Sequence, residues 1–214
     1  RQRQMCIRDR FFHGFRVKET LQAKYHFPVA AHNDGKAAAL AELATGHLKG
    51  VTNGAALVLG SGLGGGIIIN GKLFQGSHFQ AGELTFLLPL QMEKLDPSLM
   101  QGTTLSAIGL ITKVNEILAS LDLKDGLLAF KAINAKKEAV YPIFETYCRN
   151  LAITILNLQT IFDMETFVLG GGISAQSILI EEVNRQFDKV HHEIDFIGKI
   201  IKRPKIVACH HHNG

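Results

Sequence analysis

Apolar and charged residues alternate at helical spacing between residues 15 and 27, with Phe15, Val17, Leu21 and Tyr25 on one side. Pro28 ends that helix, and Val29 to Ala31 read as a short strand closed by His32-Asn33-Asp34. Asn33 or Asp34 is a natural N-cap for an alanine-rich helix from about Gly35 to His47, whose end is bracketed by Gly46 and Gly50. Two aliphatic strands follow, Ala55 to Leu59 and Ile67 to Ile69, separated by seven residues of which five are glycine. Beyond them Asn70-Gly71, a preferred pair for a two-residue hairpin, turns the chain into a third strand. The segment from Phe79 to Glu83 is a turn, and the stretch holding Pro89 and Pro97 is irregular. Helical periodicity then predicts helices over Leu105 to Ala119, about 126 to 135 and about 138 to 163, Pro142 falling in the first turn of the last. Thr166 to Leu169 is a strand, Gly170-Gly171-Gly172 a second glycine loop, Ser174 the N-cap of a helix to about Val190, and Lys205 to Ala208 a final strand.

The first glycine run formally satisfies G-x-G-x-x-G at Gly60, Gly62 and Gly65, with Glu83 as a downstream carboxylate. A dinucleotide fingerprint opens a helix, however, and this run opens a strand of isoleucines. It therefore reads as a glycine hairpin whose amides can form a concave anion nest, or as a bulge that bends the hairpin. Asn33-Asp34 stands between a strand's carboxyl end and a helix's amino end, where open α/β sheets place ligand crevices; the plain alternative is a helix cap. The second glycine loop joins a strand to a helix, which favours a phosphate or a nucleoside packed on the glycines. Gly170, Gly172 and Ala175 also match G-x-G-x-x-A, which keeps a nicotinamide-dependent oxidoreductase as a minor reading. Glu83, after Ala81-Gly82, is presented by a turn.

Composition narrows the class. With 214 residues and 46% hydrophobic content the chain is long enough for one large domain or two small ones. Four arginines against Asp9 give the first ten residues +3 of the formal +4, so the rest, at +1, offers no basic surface for nucleic acid. Those ten residues read as a non-native leader, with neither the apolar core of a signal peptide nor the period of a transit helix. Cys6, Cys148 and Cys209 form no C-x-x-C pair, which fits a reducing cytoplasm and supplies no zinc knuckle. The stretch Leu151 to Phe162 is too short to cross a bilayer.

Four segments in order resemble the ROK family of sugar kinases and sugar-responsive regulators (repressor, open reading frame, kinase). They are Pro28 to Glu42 around Asn33-Asp34, Leu57 to Leu73 around the glycine hairpin, Ala81-Gly82-Glu83, and Val168 to Ser174. The resemblance implies an α/β, actin-like (ribonuclease H-like) ATPase fold with two domains around a cleft. On this chain it implies a leader at 1–10, a remnant of the small N-terminal domain at 11–45, and a large C-terminal domain at 46–214. The implied activity is ATP-dependent phosphorylation of a hexose or N-acetylhexosamine, as in glucokinases and fructokinases, with ATP and Mg²⁺. Carried over, Asp34 is the catalytic base, and Asn33 and Glu83 hold other sugar hydroxyls. Gly60, Ser61, Gly62, Gly64 and Gly65 face the phosphates, and Gly171 and Gly172 the adenosine. A cytoplasmic homodimer that binds neither membrane nor nucleic acid through this region is also implied.

The chain departs from the family pattern too. Phe86 stands where members carry a sugar- and zinc-binding His, and Leu87 to Met100 replace a cysteine-rich zinc segment, which implies a zinc-free branch with no metal site. A later Glu of the usual set is not identifiable around Gln101 to Ser106. The opening phosphate loop and the closing helix are missing, so the chain is expected to be a fragment, inactive by itself. The terminal run His210-His211-His212 reads as a tag remnant, a metal binder or an ordinary polar segment. A rival from another class is a sugar-sensing transcriptional regulator on the same domains, distinguished by an upstream helix-turn-helix.

Overall fold

The computed structural model describes residues 16–29, 32–88, 96–193 and 195–211. The leader expected at 1–10, Phe15 and most of the strand expected at 29–31 lie outside these. Helix α1, Val17–Tyr25, ends at His26 in the left-handed conformation, before Pro28. Helix α2, Asp34–Thr45, is capped by Asn33, whose Oδ1 accepts the amide of Lys36 at 3.0 Å. The glycine hairpin then forms as β1, Gly54–Leu59, and β2, Leu63–Ile69. Asn70 and Gly71, with φ of 53° and 69°, make the expected tight turn into β3, Lys72–Phe74.

A short 3-10 turn, Leu84–Phe86, leads to the irregular segment and then to α3, Gln101–Thr104, and α4, Ala107–Ile117. The helix expected over 105–119 is thus a single helix that starts two residues later, at Ala107, with α3 as a separate, unexpected turn before it. Ser106 leaves the helical region and its Oγ accepts the amide of Gly109 at 3.0 Å, so it caps a new helix. Helices α5, Gly126–Asn134, and α6, Tyr141–Phe162, follow, with Pro142 in the first turn of α6 and Asp163 left-handed at its end. After β4, Thr166–Gly170, α7 runs from Ser177 to Glu193. Ser174 is therefore not its N-cap. Its Oγ donates instead to the carbonyl of Gly171 at 2.8 Å, folding the loop on itself. An unexpected α8, Asp195–Ile200, precedes β5, Lys205–Ala208.

The five strands form one mixed sheet in the order β3-β2-β1-β4-β5. The hairpin pairs are antiparallel, whereas β1 and β4, and β4 and β5, are parallel. The period-2 pleat decides which face each side chain covers. Leu57, Leu59, Phe167 and Leu169 join Phe144, Leu151, Ile155 and Phe187 of α6 and α7 in the main core. The intervening Ala56, Ile68 and Val168 face the other way, under Ala38 and Ala39 of α2. Where α2 crosses β1 and β2 it presents Gly35, Ala38 and Ala39, residues small enough to let the helix lie close on the sheet.

Contact there is close enough that a Cβ on Gly35 would fall 2.5 Å from the Gly65 amide nitrogen and 2.7 Å from its carbonyl oxygen. In a free helix Gly→Ala stabilises by about 1 kcal/mol. Here the neighbour is backbone, so overpacking outweighs propensity and Gly35→Ala should destabilise by about 1–3 kcal/mol in urea unfolding. A stabilised variant would show that α2 stands off the sheet.

Candidate active site

Parallel strands β1 and β4 end side by side, Val58 being in register with Gly170, so their outgoing loops meet. The contact is direct. A Cβ on Gly171 would lie 2.1 Å from the Leu59 carbonyl oxygen, and its φ of +98° is open to glycine and unfavourable for other residues. Gly60 and Gly172 have nothing within 4 Å of a Cβ position, so the exposed flanks of the two loops face open space. The Gly60 carbonyl accepts the Ala107 amide at 2.9 Å, which ties the first loop to the start of α4.

Not every glycine assigned from sequence lies in a loop. Gly60, Ser61 and Gly62 do; Gly64 and Gly65 belong to β2, paired with Val58 and Leu57. Gly65 is buried, and a Cβ there would strike the Gly82 carbonyl and Leu84. Its small size thus serves packing against the turn that carries Glu83. Gly171 is likewise buried, and within its loop Gly172 is the exposed glycine.

The polar candidates gather beside the hairpin. Asn33 Nδ2 donates to Glu83 Oε1 at 3.0 Å, joining residues fifty positions apart. Asn33 therefore uses its oxygen to cap α2 and its amide to hold Glu83. Asp34, exposed at the start of α2, accepts the Gly35 amide through Oδ1 at 2.8 Å. That same oxygen lies 3.6 Å from the Cβ position of Gly64, placing the carboxylate over β2, two residues from the hairpin loop. Gly62 closes the other side. Its Cβ position is 3.4 Å from Thr85 Oγ1 and from the Gly102 carbonyl, and Thr85 Oγ1 donates to the Leu63 carbonyl at 2.9 Å. Glu83, Asn33, Asp34 and Gly64 thus lead along one hairpin to the paired loops at Gly60 and Gly171.

The sequence model of the ROK family matches residues 8–195. The chain belongs to the ROK family. Among its relatives, a β-glucoside kinase of Listeria innocua is 29% identical over 191 residues, covering 87% of this chain and 62% of the relative. An N-acetyl-D-glucosamine kinase of Vibrio cholerae is 30% identical, covering 92% of this chain and 67% of the relative. The chain thus spans about two thirds or less of the length of these relatives. A ROK glucokinase of Streptomyces griseus, solved with glucose and AMPPNP, superposes with a TM-score of 0.76 at 22% identity, over 93% of this chain and 69% of that one. The fold is that of the actin-like ATPases, as the four ordered segments implied.

Two features of this ROK chain escaped sequence reading. Thr85 braces the start of β2, with no pattern to announce it. Lys36 and Glu42 are buried on the inner side of α2, at 5% and 0% exposure, among alanines. Charges on an inward stripe are the signal that finds them. Glu42 accepts the backbone amides of His47 at 2.8 Å and His211 at 3.1 Å, so the segment after β5 is fastened to the end of α2. Burial, with Glu42 beside it, pushes the Cys209 thiol up to about 12, which makes it a packing group and no nucleophile. Among the described residues no helix is long and apolar enough to cross a membrane.

Proposed function

We propose that the protein is an ATP-dependent sugar kinase acting on a hydroxyl of a hexose or N-acetylhexosamine. The observation that carries this reading is the joining of Asn33 to Glu83 at 3.0 Å beside Asp34, on the hairpin that ends in the paired glycine loops. Three hydrogen-bonding side chains stand at one end and open glycine flanks at the other. The names of the curated relatives support the same class of reaction.

In this reading Glu83 and Asn33 hold sugar hydroxyls while Asp34 accepts the proton of the attacking one. The hydroxyl oxygen bonds to the γ-phosphorus, the bond to the bridging oxygen breaks in line, and ADP leaves. Amides of Ser61 and Gly62 face the phosphates, the Gly60 amide being held by the Gly62 carbonyl at 3.0 Å, and the flank of Gly172 takes the adenosine. Among the described residues no group of three or more His, Cys, Asp or Glu is arranged to hold a metal. Magnesium, which keeps several waters and binds through few carboxylates, suits such a site as the companion of the nucleotide's phosphates, where it neutralises their charge. No structural zinc is proposed, since Leu87 to Met100 contain no cysteine or histidine. The proposal includes a cytoplasmic homodimer.

A sugar-sensing regulator needs hydroxyl contacts but no base, so the carboxylate of Asp34 over Gly64 favours the kinase. The test is coupled ADP release from the full-length gene product with glucose, N-acetylglucosamine and a β-glucoside. Saturable, sugar-dependent release is expected. Calorimetric sugar binding without ATP consumption would turn the reading to a regulator, and neither binding nor turnover would overturn it.

A further inference from the structure

We propose that Lys36 is a positioning residue for sugar recognition, holding the carboxylate of Glu83 and its turn against α2; the inference rests on the kinase reading above. Lys36 is 5% exposed, and its ammonium reaches the turn that carries Glu83. Burying an ammonium is costly unless it is paired, so a residue chosen for packing alone would be apolar. Nζ has two partners on that turn: it donates to the carbonyl of Phe79, and it lies 3.9 Å from Glu83 Oε1.

The turn needs such a clamp. Gly76, Phe79 and Gly82 all have positive φ, at 71°, 61° and 86°, and Phe79 has no glycine freedom to make that conformation easy. No strand ladder runs through residues 75–83 to fix where Glu83 points. Position is set instead from α2, where Asn33 and Lys36 both engage Oε1. Among the described residues Oε2 has no partner, and the side chain is 36% exposed. One oxygen is anchored and the other is offered to a hydroxyl.

Buried and committed to Phe79 and Glu83, Lys36 acts on the sugar only through the Glu83 turn, so its loss should weaken ground state and transition state alike. The test is a double-mutant cycle on the full-length gene product, with K36M and E83Q singly and together. K36M should raise the sugar KM about 10- to 100-fold, the size of one charge-assisted hydrogen bond, with kcat within about threefold. In the E83Q background the same change should move KM clearly less than in the wild type, because the ion pair with the carboxylate is already gone and only the bond to the Phe79 carbonyl remains to be lost. If K36M does not fold, K36Q, which keeps a donor and loses the charge, takes its place in the cycle. Equal effects of the Lys36 change in both backgrounds, or lower thermal stability with an unchanged KM, would overturn the inference. A wild-type protein without sugar-dependent turnover would instead overturn the kinase reading, and this inference with it.

Discussion

Replacing Asp34 with Asn in the full-length gene product is expected to lower sugar phosphorylation about 10²- to 10⁴-fold, the usual worth of a general base, while sugar affinity stays within a few-fold. An amide matches the carboxylate in shape and can still hydrogen-bond a hydroxyl, but it cannot take the proton. The fold should survive the change. Asn33, not Asp34, caps α2, and Asp34 contributes only its bond to the adjacent Gly35 amide, from an exposed position. Steady-state kinetics alongside calorimetric sugar titration separates the two effects. Equal loss of binding and turnover would reduce Asp34 to a hydroxyl contact, and wild-type turnover would remove it from the reaction.

The second large effect is expected at Gly171. A Cβ there meets the Leu59 carbonyl oxygen at 2.1 Å, the Leu59 carbonyl carbon at 2.7 Å and its nitrogen at 2.9 Å, all backbone of the central strand. The φ of +98° adds strain for any side chain. Gly171→Ala should therefore cost about 1–3 kcal/mol from overpacking and a similar amount from backbone strain, roughly 2–6 kcal/mol in all. The damage is local to the paired ends of β1 and β4, whereas the turn carrying Glu83 packs on β2 through Gly82 and Gly65. Nucleotide affinity should thus fall by at least tenfold under conditions where the variant remains folded and sugar affinity is kept. Unchanged melting and nucleotide affinity would mean that the two loops are not pressed together in solution.

Local chemistry was enough to read the hairpin. Alternating aliphatic residues on either side of a glycine run, closed by Asn70-Gly71, have few other ways to fold; β1 and the turn lie where the pattern puts them, while β2 starts at Leu63, four residues before the isoleucines that announced it. The same holds for α2, where an Asn-Asp pair before a run of alanines is both a cap and a start signal, and for β4 and β5. Four motifs in fixed order then sufficed to identify the family, because their joint occurrence is far more specific than any glycine run.

What those glycines are for was not legible. Sequence shows that a Cβ is absent; it does not show whether the space is taken by a ligand or by another part of the chain. Tertiary packing decides this differently along one run, leaving Gly60 open to solvent and pressing Gly65 against Gly82 and Leu84. Ser174 was misread for a related reason. A serine ahead of a helix satisfies the capping pattern, yet its hydroxyl finds the Gly171 carbonyl nearer than any helical amide. The partnerships that build the site, Asn33 with Glu83 and Lys36 with both Glu83 and Phe79, join positions more than forty residues apart. They depend on how closely α2 lies on the sheet, and that distance is set by Gly35 against Gly65 and Ala39 against Gly66. The sequence by itself determined the main elements, their order and the family, the short helices α3 and α8 excepted. Only the tertiary structure decided which polar groups meet, because contact across fifty residues follows from the packing distance between helix and strand and not from any local preference.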